Sequence, residues 1–91
     1  MRSNFLIGSI VVTEQAKQAL KREPLDLIAR HAVNDHGTAS LRQHRINLAS
    51  LDKAGEIVSR YVIDPTDPNS GHVLVVTCPG WDRTTVKLET E

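Results

Sequence analysis

The 91-residue sequence predicts one α+β domain, residues 1–91, in the order β-α-α-α-β-β-β. The expected form is a C-terminal antiparallel three-stranded meander, joined by the N-terminal strand, with the helices packed on one face. Three observations predict it. Residues 71–88 read as a hairpin: a β-branched run at 72–78, a turn at 79–82 and an alternating run at 83–88. Residues 13–55 carry helix caps and helical apolar spacing, and from Ile57 the period changes to two.

Taken in order, residues 5–12 are apolar and β-branched toward their end, with Gly8 as a bulge position, and form the first strand. Thr13 is a helix N-cap, Glu14 complements the positive end of the dipole, and Lys21 and Arg22 the other end. The helix over 14–21 faces Ala16 and Leu20 inward. Pro24 fits the first position of a second helix, where its missing N–H costs nothing, with Leu25, Ile28, Ala29 and Ala32 at the helical spacing. It ends before Gly37. Ser40 and Gln43 resemble a capping box, and Leu41, Leu48 and Leu51 mark one stripe of a third helix that stops near Gly55. Its polar load, Arg42, Gln43, His44, Arg45 and Asn47, suits a solvated outer face.

Ile57, Ser59, Tyr61 and Ile63 then share one face of a strand, with Val58, Arg60 and Val62 on the other. Residues 64–71 are all turn formers and break it. In the closing hairpin 72–78 is a central strand and 83–88 an edge strand that Lys87 protects from further pairing. The first strand joins from outside or beside the middle strand.

Hydrophobic residues make up 40% of the chain, but only Phe5, Tyr61 and Trp81 are aromatic, so the core is aliphatic and light. Eleven Lys and Arg balance eleven Asp and Glu. Affinity for a nucleic-acid backbone needs an excess of cations, which the chain as a whole does not have, and an acidic DNA-mimicking surface is equally unsupported. The single Cys78 excludes an internal disulfide and fits a reducing cytoplasm. Residues 1–8 hold one basic residue and a very short apolar stretch, short of a signal-peptide core or a ~20-residue membrane span. The expectation is a soluble cytoplasmic protein.

Four blocks resemble a family of small proteobacterial proteins that accompany plasmids and integrated mobile elements and often carry a restriction-enzyme-subunit label. Residues 8–13 with Ala16 and Leu20 look like its opening strand and first helix. Residues 27–31 followed by 34–37 are similar to its Leu-Leu-Ala-Arg-His and Gly-Asp-Trp-Gly block, with Asn34 and His36 replacing the Gly and Trp. Asn47, Leu51, Ser59 and Tyr61 match its spacing into the next strand, and 75–77 and 84–86 its final hairpin. The tip at 78–82 replaces a more polar turn. The resemblance implies the fold and a mobile-element setting, not an activity.

His31, Asp35, His36 and His44 come nearest to a metal set, but His31 and His36 are five apart rather than four, and no Cys pair is available. Arg30 and His31 instead suit a helix end, where cations meet the last carbonyls, with Asp35 and Gly37 forming the exit turn and Arg30 pairing with Asp35. Cys78 followed by Pro79 shows no sign of an activated nucleophile with His72 or His36. No catalytic residue, metal or cofactor is assigned.

The leading reading is a non-enzymatic interaction protein of mobile-element origin, monomer or dimer, that docks on a protein partner such as a host defence complex of the CRISPR or restriction type. Trp81, Asp82 and Arg83 at the tip, with Asp35 and His36, are the candidate partner surface. Trp81 either folds back over the sheet edge or stands outward as an anchor. Two alternatives stay open. The topology resembles RelE/ParE toxins, in which Arg60, Tyr61, Arg83 and Lys87 would stabilise a phosphorane. A small DNA-binding regulator would use Arg42, His44 and Arg45, with Arg60, as its cationic set.

Overall fold

The computed structural model describes residues 5–91. Its elements are β1 (Ser9–Val12), α1 (Glu14–Leu20), α2 (Leu25–Ala32), α3 (Leu41–Ser50), β2 (Ile57–Asp64), β3 (Asp67–Thr77) and β4 (Arg83–Leu88). The order is the α+β order expected. One mixed sheet runs β1-β4-β3-β2, antiparallel through the meander and parallel where β1 joins β4. β1 therefore enters from outside, and β4 lies inside the sheet rather than at its edge. Lys87 protects no edge, and the C-terminal strand is not free to pair across a twofold axis.

Helix α1 follows its local signals. Thr13 Oγ1 accepts from the Ala16 N–H at 3.2 Å, and Lys21, in the left-handed region at φ 58°, closes the helix by donating to the Lys17 carbonyl. Pro24 sits one position earlier than expected, at the cap of α2, and its carbonyl accepts from Ile28 N–H. The inward stripe of α2 is also rotated. Leu27, Ile28, His31 and Ala32 are buried, whereas Leu25 is 68% exposed. The sequence counts His31 as polar and so misplaces the stripe.

The core joins Ala16, Leu20, Leu27 and Ile28 of α1 and α2 to Tyr61, Val73, Val75 and Val86 of the sheet. Aliphatic side chains dominate it, as the composition requires. The other sheet face carries Val58, Arg60, Leu74, Val76, Thr85 and Lys87, all half-buried.

The β2–β3 connection is tighter than the eight turn formers suggest. Asp64 already pairs with Asp67, so β3 begins five residues before His72, and a register shift lies between Val62 and Asp64. Asp64 Oδ1 accepts from the Thr66 N–H and hydroxyl, closing the turn locally.

Helix α3 lies along the outer edge of β2. Ser40 Oγ accepts from Gln43 N–H as a cap should, but the Gln43 amide donates to Asn47 Oδ1 instead of returning to the cap. The helix ends at Ser50, and Gly55 N–H bonds back to the Ser50 carbonyl beyond a short turn. Its polarity departs from the expectation in part: Arg42 and Arg45 are exposed and Leu51 is half-buried, as expected, but the rest is not. Asn47 and Ser50 are buried, while Leu41, Ile46 and Leu48 are 65%, 46% and 42% exposed. For Asn47 the reason is the surface it covers: the strand edge offers the Val58 N–H and C=O, which an amide satisfies and a leucine does not, while Ser50 donates back to the Ile46 carbonyl of its own helix.

Candidate functional site

The most polar part of the interior is a ladder centred on His31. Its Nδ1 lies 2.6 Å from Ser59 Oγ and its Nε2 2.8 Å from Thr77 Oγ1, which in turn is 2.7 Å from Thr84 Oγ1. Thr84 donates to the Ile7 carbonyl at 2.7 Å. A carbonyl only accepts, so the direction follows from that end as far as the ring: Thr77 donates to Thr84 and His31 Nε2–H donates to Thr77; with the ring neutral, Nδ1 accepts from Ser59. The imidazole is neutral. Burial, with the neighbouring His36 charge a lesser cause, pulls its pKa down to about 4. Phe5 closes the ladder edge-on, 5.1 Å between ring centres.

Ser59 and His31 have the spacing of a nucleophile and its base, and the sequence does not single out this pair. Both are fully buried, so no substrate reaches them. The signal was present in the alternation: Ser59 lies between Ile57 and Tyr61 on the inward face, where a hydroxyl needs a partner. His31 accordingly does not meet the last carbonyls of α2 as a cation.

The α2–α3 loop holds Asp35 and His36. Arg30 Nε and Nη2 bond the two Asp35 carboxylate oxygens at 2.7 and 3.3 Å, as the exit turn predicts, and Gly37 N–H donates to Asp35 Oδ1. The Arg30 hydrogen bond holds the Asp35 carboxyl below its usual range. The same guanidinium stacks 4.7 Å over the Tyr61 ring, whose hydroxyl donates to the Asp35 carbonyl at 2.5 Å. Burial pushes the Tyr61 phenol up to about 12. His36 Nδ1 meets His44 Nδ1 at 2.7 Å, one of the two carrying the proton, and burial lowers the His36 pKa with His44 as second cause. Asp35 and His36 thus serve the loop itself. Among the described residues no group of three or more His, Cys, Asp or Glu is arranged to hold a metal ion.

On the open sheet face Arg60 is fully engaged. It binds Glu89 through Nε at 2.5 Å and Nη2 at 3.2 Å, Thr38 through Nη1 and His72 through Nη2. Tyr61 points to the opposite, buried face, so these two residues cannot work on one phosphate. Lys87 shares a row with Arg60 across Leu74, about 10 Å away over two strand spacings, and Arg83 is exposed.

At the hairpin tip Trp81 folds back. Its Nε1–H donates to the Gly55 carbonyl at 3.0 Å and its ring packs on Phe5 with centres 5.6 Å apart. Gly80 N–H adds a second tie to the Ala54 carbonyl. A thin core draws in its one indole, which is half-buried, leaving Pro79, Gly80, Asp82 and Arg83 exposed. Cys78 Sγ donates to Asp82 Oδ1 at 2.8 Å, which keeps that carboxyl below its usual range. His72 lies six residues along β3, about 20 Å from Cys78, and His36 is held at the β2 edge, so neither imidazole faces the thiol.

Of the cationic set, His44 is tied to His36 and Arg60 to Glu89, while Arg42 and Arg45 are exposed. Among the described residues Arg22, Arg30 and Arg60 each pair with a carboxylate, and Arg42 and Arg45 do not. A groove of about 350 Å³ opens at the start of α3, between Ala39, Ser40 and Gln43 on one side and Val58 and Leu74 on the other. The structure does not join the tip to the α2–α3 loop: β2 runs about 10 Å from Ile57, beside the tip, to Arg60, beside His36. Among the described residues no helix is long and apolar enough to cross a membrane. Comparison with protein-family models, with curated proteins and with solved structures finds no match for the chain.

Proposed function

We propose that this chain is a non-enzymatic interaction protein that works in the cytoplasm by docking on another protein. The observation that carries it is the outer face of α3, whose leucines and isoleucine face solvent while its Asn47 amide is spent on the edge of β2. Exposed apolar side chains gathered on one element favour a partner surface. The side chains that chemistry would need are engaged elsewhere: His31 with Ser59 and Thr77, Arg60 with Glu89, Asp35 with Arg30. The resemblance to plasmid-associated proteins gives the partner its direction, a host defence complex of the CRISPR or restriction type that the chain would inhibit.

Reconstitution tests this. A partner captured from host cells, purified and mixed with the chain is expected to form a complex of fixed stoichiometry. Messenger cleavage on overexpression, lost with Arg60→Ala, would replace the reading with a toxin ribonuclease. A salt-dependent shift of duplex DNA, lost with Arg42→Ala and Arg45→Ala, would replace it with a DNA-binding regulator.

A further inference from the structure

Resting on that reading, the geometry points to the kind of partner: a protein segment that sets carboxylates against Arg42 and Arg45, apolar side chains against Leu41, Ile46 and Leu48, and one anchor side chain in the groove at the start of α3. Leu41, Arg45 and Leu48 recur at i, i+4 and i+7, and Arg42 and Ile46 form the adjoining row, so apolar and cationic groups alternate along one exposed face. Helix α3 contains no Asp or Glu, and among the described residues Arg42 and Arg45, like Arg83, have no carboxylate partner, whereas Arg22, Arg30 and Arg60 do. Charge complementarity therefore asks for an acidic partner. The groove, floored by Val58 and Leu74 and bordered also by Thr38 and the carboxylate-paired Arg60, adjoins Ser40 at the foot of the same helix and has room for one anchoring side chain.

Other occupants fit less well. A second copy would pair α3 with itself about a twofold axis midway between Leu41 and Leu48, which brings the two Arg45 side chains together. A nucleic-acid backbone would satisfy the arginines but lay phosphates against three exposed aliphatic side chains, on a chain with no net positive charge. A bilayer surface has no side chain for the groove, and the ten-residue helix has no Trp or Phe to anchor it at the interface.

The probe is a display library of short random peptides selected on the purified chain. Enriched peptides are expected to carry Asp or Glu interleaved with Leu, Ile or Phe. Their binding should weaken at least about tenfold with Arg45→Glu and with Leu48→Ser, and weaken as salt rises. A peptide with its acids changed to Lys should regain binding to the Arg45→Glu protein, which a merely structural effect would not produce. Because all these positions are exposed, the circular dichroism of the variants should match the parent. Enriched peptides indifferent to both substitutions would overturn this surface while leaving the protein-docking reading in place. No enrichment, or a concentration-dependent dimer broken by Leu48→Ser, would overturn the acidic-segment assignment. Binding of duplex DNA or of phosphatidylglycerol vesicles, lost with Arg45→Glu, would overturn both the assignment and the reading.

Discussion

The Asn47 side-chain amide brackets the backbone of Val58, donating to its carbonyl at 2.7 Å and accepting from its N–H at 3.0 Å. Two residues further on, Arg60 N–H donates to the His36 carbonyl and Thr38 N–H to the Arg60 carbonyl. The outer edge of β2 is thereby closed by a side chain and a loop instead of a fifth strand, which removes a template for edge pairing. Asn47→Leu keeps the bulk and leaves both Val58 groups without partners. Urea unfolding should show a loss of about 1–3 kcal/mol, with greater aggregation. A loss under about 0.5 kcal/mol would show that water replaces the amide freely.

Acid should weaken the fold through His31. The unfolded imidazole takes up its proton near 6.5, the buried one only near about 4, so between these values the unfolded chain binds more protons and stability falls as pH drops. At full slope this is about 1.4 kcal/mol per pH unit, roughly 3 kcal/mol across the window. His36, also lowered, acts in the same direction. The lowered carboxyls of Asp26, Asp35 and Glu89 add losses only as pH falls through the acidic range below their usual values. His31→Gln should flatten the stability profile by about one proton. Unchanged slope would place the charged imidazole inside the fold.

Two glycines of similar backbone should respond unequally to alanine. Gly37, at φ 63°, would put a Cβ 2.2 Å from the Arg60 carbonyl oxygen and 2.5 Å from the Tyr61 ring. Gly80, at φ 88°, has nothing within 4 Å of that position. Gly80→Ala should cost about 1 kcal/mol from the left-handed backbone alone, and Gly37→Ala about 3 kcal/mol or more because backbone must also move. Thermal unfolding of the two variants gives the comparison; equal shifts would mean that the β2 edge and its loop separate easily.

Trp81 is the sole tryptophan, so its fluorescence reports the tip directly. Trp81→Phe removes the bond to the Gly55 carbonyl but keeps a ring against Phe5, and should cost about 1 kcal/mol. Trp81→Ala should cost about 2–3 kcal/mol. Charge reversal at exposed Arg83 should leave stability unchanged within about 0.5 kcal/mol, which separates the structural part of the tip from its solvent-facing part. Red-shifted native emission would contradict a packed indole.

What could be read from residues were features whose cause is local. Thr13 and Ser40 as caps, the inward set Ile57, Ser59 and Tyr61, and the Arg30–Asp35 turn all rest on neighbours within a few positions. The His31 ladder was not legible, because its partners stand 28 and 46 residues away and only the sheet register brings Ser59 and Thr77 level with α2.

By itself, then, the sequence determined the α+β class, the element order and the light aliphatic core, since periodicity, caps and composition act through short range and bulk burial. Tertiary structure alone decided that β4 is interior, that Trp81 turns inward and that α3 shows its leucines to solvent. For the first two the deciding partner lies far along the chain, β1 for β4 and Phe5 and Gly55 for Trp81; for α3 it is the backbone edge of the next element, β2, whose hydrogen-bonding groups no side-chain pattern displays. Hydrophobic pattern predicts which side chains avoid water, but a helix packed on a strand edge meets hydrogen-bonding groups first, and there the polar face goes in.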